Sequence, residues 1–292
     1  MQYQEQYACY LNLAETALIK QAELVFQRGS RVGEAARYSL FSGGKRVRAV
    51  LCLAVCDMLG GNMEQAAAYA AAVEMLHCYS LIHDDLPCMD DDDYRRGRPS
   101  CHKAYGEDTA LLAGDALLTA AFEVLASAPG DAACNVEAAA QLARAAGTRG
   151  MIYGQELDLY YETRNACEDE LYRIHRNKTG MLIHAAVQLG AIAAQASSGE
   201  RNALERYAFG IGLVFQIVDD ILDVTSTSEE LGKPVGSDEE NGKSTFVTLF
   251  GLDGSRRLAR EKNQQACGAL LNFGERACFL RELADSLLAR RK

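Results

Sequence analysis

Six aspartates in two groups dominate the chemistry open to this chain: Asp84-Asp85-Leu86-Pro87-Cys88-Met89-Asp90 and Asp219-Asp220-Ile221-Leu222-Asp223, each closing a long apolar stretch. Like charges crowded beside buried helical surface repel one another and resist desolvation, so they are costly unless cations neutralise them. Magnesium takes oxygen ligands, keeps some of its waters and is commonly held by one or two carboxylates together with substrate phosphates. Two such clusters suit a diphosphate clamped by several ions. A calcium loop of the EF-hand kind fails, because its glycine and closing glutamate are missing. Asp91, Asp92 and Asp93 prolong the first cluster, and such a charge run reads equally well as a solvated loop.

A basic complement lies at separate places. Gly43-Gly44-Lys45-Arg46-Val47-Arg48 sets three cations behind a glycine turn at the start of an apolar helix, where free amides and the helix dipole also favour an anion. Tyr94-Arg95-Arg96-Gly97-Arg98-Pro99 follows the first acidic cluster, and its guanidinium groups can hold phosphate oxygens in bidentate fashion. Taken alone, either run is more often an ordinary surface patch. Gly242-Lys243-Ser244 hints at a nucleotide P-loop, but Ser237 stands where the first glycine belongs and no strand precedes it.

These groups must be positioned by helices. Only four prolines interrupt the chain, and the segments between them are rich in strong helix formers. Ala66 to His83, Asp115 to Ala128, Glu137 to Tyr153, Leu171 to Ala196 and Leu204 to Asp223 are apolar almost all round, and no run alternates with period two. Such helices belong in the middle of an all-α bundle. Loops are expected at Gly43-Gly44, Pro87 to Pro99, Pro129 to Asp131, Ser197 to Glu200 and Thr225 to Asn241. A helix through the second cluster brings Asp219 and Asp223 to one face and turns Asp220 away. In the first cluster Pro87 should end the helix near Asp85 and let Asp90 fold back toward Asp84.

Composition bounds the rest. The 292 residues, 49% hydrophobic, can bury a large core, and with no linker in sight a single domain over 1–292 is expected. The opening residues lack a signal peptide's basic start and apolar run, and no stretch reads as apolar enough to cross a bilayer, so a cytosolic protein is expected. A net charge of −10 argues against nucleic acid as a partner. Any anionic ligand must be held by local cations. The ten cysteines are scattered and read as small buried hydrophobes. Cys52 and Cys56 share a helical face and Cys101 precedes His102, but no CxxC pair at finger-like spacing points to zinc.

Ser80-Leu81-Ile82-His83-Asp84-Asp85-Leu86-Pro87-Cys88-Met89-Asp90, then Arg95-Arg96-Gly97, then Phe215-Gln216-Ile217-Val218-Asp219-Asp220-Ile221-Leu222-Asp223 resemble the short-chain trans-isoprenyl diphosphate synthases, the farnesyl-forming bacterial enzymes above all. The similarity runs from about Tyr38 to Ser244. It implies an all-helical fold around a deep central cavity and a homodimer. It implies that magnesium, or manganese in its place, is held as several ions by Asp84, Asp90 and Asp219, with Asp85, Asp220 and Asp223 in support. It implies further that Lys45, Arg48, His77 and Arg96 hold isopentenyl diphosphate, while Arg95, Lys178, Thr179, Gln216 and Lys233 hold the allylic diphosphate. The expected reaction is ionisation of the allylic substrate, alkylation of the isopentenyl double bond, and proton loss, with Asp84, Asp85, Asp219, Lys178 and Arg95 central to it. Gln155 resembles a residue that lines the site.

Ala49, Pro234 and Phe246-Val247 depart from the family pattern. Without the resemblance, His77 would more often be a core histidine with a single hydrogen bond. Tyr79 and Ser80 lie about one turn before Asp84, roughly 7 Å along a helix axis from its metal end. In the family a bulky aromatic at this place resembles the floor of a farnesyl-forming pocket, and smaller residues accompany longer products. A geranylgeranyl-forming relative would share every other motif. A class I terpene cyclase usually lacks the second aspartate cluster and the Gly-Gly-Lys-Arg turn, and a non-catalytic subunit should have lost motif aspartates.

Overall fold

A computed structural model describes residues 2–162, 164–226 and 244–290. The described residues form helices joined by short connections, apart from one two-residue ribbon. They divide into two compact units. One comprises residues 1–140 and 189–195, the other residues 141–188 and 196–292.

The first unit is built around α4 (Met63–Asp84), in which every residue from Gln65 to Leu76 is buried. A helix apolar on all sides is stable in water only where other helices cover it. Here α1 (Tyr3–Val25), α3 (Val47–Met58) and α6 (Glu107–Ala126) do so, with α2 (Arg31–Leu40) packed on α6. Leu18, Leu51, Leu53, Met75, Leu76 and Leu117 are fully buried among them. Asn62 starts α4 by accepting the Glu64 and Gln65 amides at 3.1 Å each. Beneath α4 a buried polar group is paired: Tyr69 Oη and Gln65 Nε2 both donate to Asn135 Oδ1, at 2.7 and 2.8 Å. The ribbon, β1 (Tyr94–Arg95) against β2 (Arg98–Pro99), lies inside the expected Pro87 to Pro99 loop and is too short to show alternation. After it come α5 (Cys101–Tyr105) and α6.

Among the described residues, α6 alone is long and apolar enough to cross a membrane, and half of its apolar stretch is buried inside the protein. Glu107, Asp108, Asp115 and Glu123 lie along the same helix.

The helix expected from Glu137 to Tyr153 is two: α7 (Ala132–Ala146), which runs across the boundary between the units, and α8 (Met151–Tyr161). The break falls at Gly147 to Gly150, where the Gly150 amide donates to Gly147 O at 2.9 Å. Glycine costs a helix interior about 1 kcal/mol, and two so close together stop it. The run from Leu171 to Ala196 is likewise compound: α9 (Glu168–His175), a single π turn at Arg176–Gly180, and α10 (Met181–Ala193). In the second unit α11 (Ser198–Thr225) packs along α12 (Phe246–Ala269) and against α13 (Cys278–Leu288). Val214, Ile217, Val218, Leu222 and Phe246 form the core of that contact. Ser197 and Glu200 start α11 with a reciprocal capping box.

Candidate active site

In the first unit α4 stops where proline was expected to stop it. Its last residue is Asp84, and the Asp90 amide donates to Asp84 O at 2.8 Å, so the loop curls back and sets Asp90 beside the helix end. His83, one residue earlier, donates from Nε2 to Leu111 O of α6 at 3.0 Å. Only a glycine opposite permits this, since a Cβ at Gly114 would lie 2.1 Å from His83 Nε2. Asp85 is buried and ion-paired with Arg95, whose Nε donates to Oδ1 at 2.9 Å and whose Nη2 also reaches Asp92 at 2.9 Å. Burial pushes the Asp85 carboxyl above its usual range, against the pull of Arg95, and the charges of Asp92 and Asp90 push the same way. An acidic cluster so loaded has the donor set that a hard divalent cation requires.

The ribbon explains how two adjacent arginines diverge. Arg96 and Gly97 form its turn with φ of 55° and 74°, the all-positive turn that matches strand twist. Arg95 thereby faces Asp85, while Arg96 donates to Gly43 O in the glycine turn. Holding a non-glycine residue in the left-handed region costs of order 1–3 kcal/mol, which the fold spends on placing this guanidinium. Of the three cations behind the glycine turn, Arg46 is structural: its Nε donates to Glu15 Oε1 at 2.7 Å and its Nη1 lies 3.7 Å from Glu74 Oε2. Arg48 differs. Its buried Nε has no acceptor, and burial brings its pKa down to about 10, with Arg96 adding to the fall. His77 is held neutral well below the usual imidazole range by burial and then by Arg48 and Arg96. Arg48, Arg96 and His77 thus lie within one another's electrostatic reach, a crowding of cationic groups that an anion would relieve. Lys45, in the same glycine turn, is exposed.

Tyr79 is buried, 6% exposed, with its ring centroid 5.6 Å from that of His83 in an edge contact. Burial, then the charge of Asp84, lifts its phenol to about 12, so the ring is neutral and serves as an apolar wall. Ser80 Oγ donates back to His77 O at 2.8 Å and is committed to its own helix.

In the second unit the π turn carries Lys178 and Thr179. Insertions of this kind concentrate at functional sites because they turn side chains out of helical register. α8 accepts the turn at Gly154, where a Cβ would lie 2.0 Å from the Lys178 backbone nitrogen. Lys178 Nζ donates to Asp158 Oδ2 at 2.6 Å, and Thr179 Oγ1 to Gln216 Oε1 at 3.3 Å. The Gln216 amide continues to Asp220 Oδ1 at 3.0 Å, and Asp220 Oδ2 accepts the Phe246 amide at 2.8 Å. Asp220, 2% exposed, therefore ties α11 to the first turn of α12. Asp219 and Asp223 both lie on α11, so the four-residue spacing does bring them to one side. Asp219 is half-exposed and Asp223 is buried. Gln155 Nε2 is buried without an acceptor.

Lys233 and Pro234, and with them most of the expected Thr225 to Asn241 loop, lie outside the described residues. Three partners were not legible in the sequence: Glu74, Asp158 and Arg290. Arg290 pairs with Asp219 and stacks 4.4 Å over the Phe215 ring. No motif marks it, and only the return of α13 along α11 brings it there.

The helices and the two aspartate motifs define the all-α isoprenoid synthase fold. The geranyltransferase of Legionella pneumophila is similar to this chain with a TM-score of 0.89 at 37% identity, covering 99% of this chain and 97% of that one. An FPP/GFPP synthase of Zymomonas mobilis gives 0.88 at 35% identity over 98% and 100%. Residues 30–271, a span that passes through both units, match the polyprenyl synthetase family. The geranylgeranyl pyrophosphate synthase of Capsicum annuum is 47% identical over 283 residues, 95% of this chain and 74% of that protein. The geranylgeranyl diphosphate synthase of Cyanophora paradoxa is 45% identical over 88% and 87%. The chain belongs to the polyprenyl synthetase family and is a trans-prenyltransferase.

Proposed function

We propose that the chain condenses isopentenyl diphosphate with dimethylallyl and then geranyl diphosphate, and stops at farnesyl diphosphate. The observation that carries the product length is Tyr79. A buried, neutral aromatic sits about 7 Å along α4 from Asp84, where a growing apolar tail would meet it. Polyprenyl synthetases use divalent metal ions, and the oxygen-only donors of each motif, Asp84 and Asp90 with Asp85 in support in the first and Asp219 with Asp220 and Asp223 in support in the second, fit magnesium. When bound, magnesium supplies Lewis-acid withdrawal of charge from the diphosphate leaving group.

The chain's own residues then divide the work. Lys45, Arg48, His77 and Arg96 hold isopentenyl diphosphate, the unpaired Nε of Arg48 gaining an acceptor. Lys178, Thr179, Gln216, Arg95 and Lys233 hold the allylic diphosphate, and release of Lys178 from Asp158 accompanies that binding. The allylic C–O bond breaks, the double bond of isopentenyl diphosphate supplies the new carbon–carbon bond, and a proton leaves the product. A homodimer in the cytosol belongs to the same reading, supported by the family resemblance and by ten cysteines that are all free.

A geranylgeranyl product is the second reading, favoured by the names of the relatives from Capsicum annuum and Cyanophora paradoxa. Incubation with isopentenyl and dimethylallyl diphosphates and Mg2+, followed by chain-length analysis, separates the two. Farnesyl as the end product supports the first reading, geranylgeranyl the second, and no condensation product overturns both. Tyr79→Ala is expected to shift the distribution toward longer chains. An unchanged farnesyl product from that variant would remove Tyr79 from the account.

A further inference from the structure

Outside the residues assigned to the reaction, Asp91, Asp93 and His102 bring one ligand atom each to within 4.8 Å of the others. The two carboxylates are exposed and the imidazole is buried, 6% exposed. His102 Nδ1 lies 3.1 Å from the hydroxyl of Ser100, itself buried, while its Nε2 has no hydrogen-bond partner and faces Asp91 Oδ1 at 3.9 Å. That separation is too long for a hydrogen bond. In the tautomer whose Nδ1–H donates to Ser100, Nε2 presents a lone pair toward a carboxylate, and the hydroxyl behind fixes the ring as an outer-shell partner fixes a metal-bound histidine. A buried ring nitrogen left without a partner calls for an occupant.

We propose that Asp91, Asp93 and His102 form a second divalent-cation site, separate from the two aspartate motifs and selective for a transition ion of the zinc class. One imidazole nitrogen with two carboxylate oxygens is a set that zinc accepts, whereas magnesium favours oxygen alone. Zinc ligands at about 2.1 Å from the ion stand about 3.4 Å apart in a tetrahedron, so the triad closes on an ion by small side-chain rotations. The neighbouring groups allow it. Asp92 is occupied by Arg95 at 2.9 Å. Lys103 Nζ holds Asp93 Oδ1 at 2.7 Å, but both groups are exposed, so water screens the pair and the flexible lysine yields to a divalent ion. Cys101 is turned elsewhere, its thiol directed at Ala35 O at 3.8 Å. An ion here would fasten the loop that follows Asp90 to α5, and so fix the register of the aspartate next to it.

The test uses the full chain and Zn2+ alone. Crystals soaked in zinc are expected to show anomalous density at the zinc edge between His102, Asp91 and Asp93. Calorimetry is expected to lose one zinc equivalent, or to weaken it at least about tenfold, in D91N/D93N and in H102Q, since even an outer-shell partner is worth that much. K103M, which removes the competing cation, should bind that equivalent several-fold more tightly. Asp91 and Asp93 are exposed, so D91N/D93N remains decisive even if H102Q fails to fold. Density confined to the motif aspartates, or zinc binding by D91N/D93N equal to that of the unchanged chain, overturns the proposal.

Discussion

The placement of Asp84 depends on a residue that bears no functional group. His83 is seated against α6 because Gly114 leaves room for its ring, and the helix end that carries Asp84 follows from that seat. Gly114→Ala gains about 1 kcal/mol of helix propensity. It also drives a methyl into a ring 2.1 Å away and breaks the His83 bond to Leu111 O, at about 1–3 kcal/mol for the overpacking and about 1 kcal/mol for the hydrogen bond. The clash wins. A lower denaturation midpoint is expected, together with a higher Mg2+ concentration for half-maximal rate. Unchanged metal dependence would show that His83 does not position the motif. At this scale the sequence was partly legible: where α4 ends and that Asp90 returns follow from Pro87, a local constraint on the backbone, whereas the seat of that end against α6 depends on the distant Gly114.

The π turn is the element on which the second unit's site rests. Its backbone touches α8 at Gly154 so closely that a methyl there would meet main-chain nitrogen at 2.0 Å, and main chain cannot rotate out of the way. Gly154→Ala should therefore cost about 3 kcal/mol of stability despite better helix propensity. It should also raise KM for the allylic substrate more than KM for isopentenyl diphosphate, because Lys178 and Thr179 move with the turn. Equal changes in the two constants would count against the division of cations proposed above. Neither the turn nor the break at Gly147 to Gly150 was legible in the run of apolar residues, since periodicity reports which faces are buried and not where one extra residue is inserted.

Over the whole molecule, half-buried histidines whose pKa is lowered by desolvation make stability fall with acid. His175 lies against Phe246, ring centroids 5.3 Å apart, and burial brings its pKa down to about 4, Lys178 assisting and Asp158 opposing. Between pH 6.5 and 4 the unfolded chain binds this proton and the folded chain does not, so stability rises with pH through that window. The penalty is absent above about pH 6.5, grows as the pH falls, and levels below about 4 at roughly 3 kcal/mol. His77 and His184, both lowered as well, act in the same direction. Chemical denaturation of the unchanged chain and His175→Gln across that range should show the variant losing less stability on acidification. Parallel curves would mean that His175 is protonated in the folded state.

Helix content, the two oxygen-donor clusters and the basic runs were determined by the sequence itself, because helix propensity, proline geometry and charge are properties of residues and their near neighbours. Which cation does what was decided only by tertiary structure. Arg46 and Arg48 differ by two positions, yet Glu15 and Glu74 neutralise the first, while the second is half-buried with a buried, unpaired Nε. Asp219 and Asp220 are adjacent, yet one is half-exposed beside Arg290 and the other ties α11 to α12. These long-range partners come from 26 to 71 residues away, from Phe246 opposite Asp220 to Arg290 opposite Asp219, and no local pattern encodes a contact made over that separation.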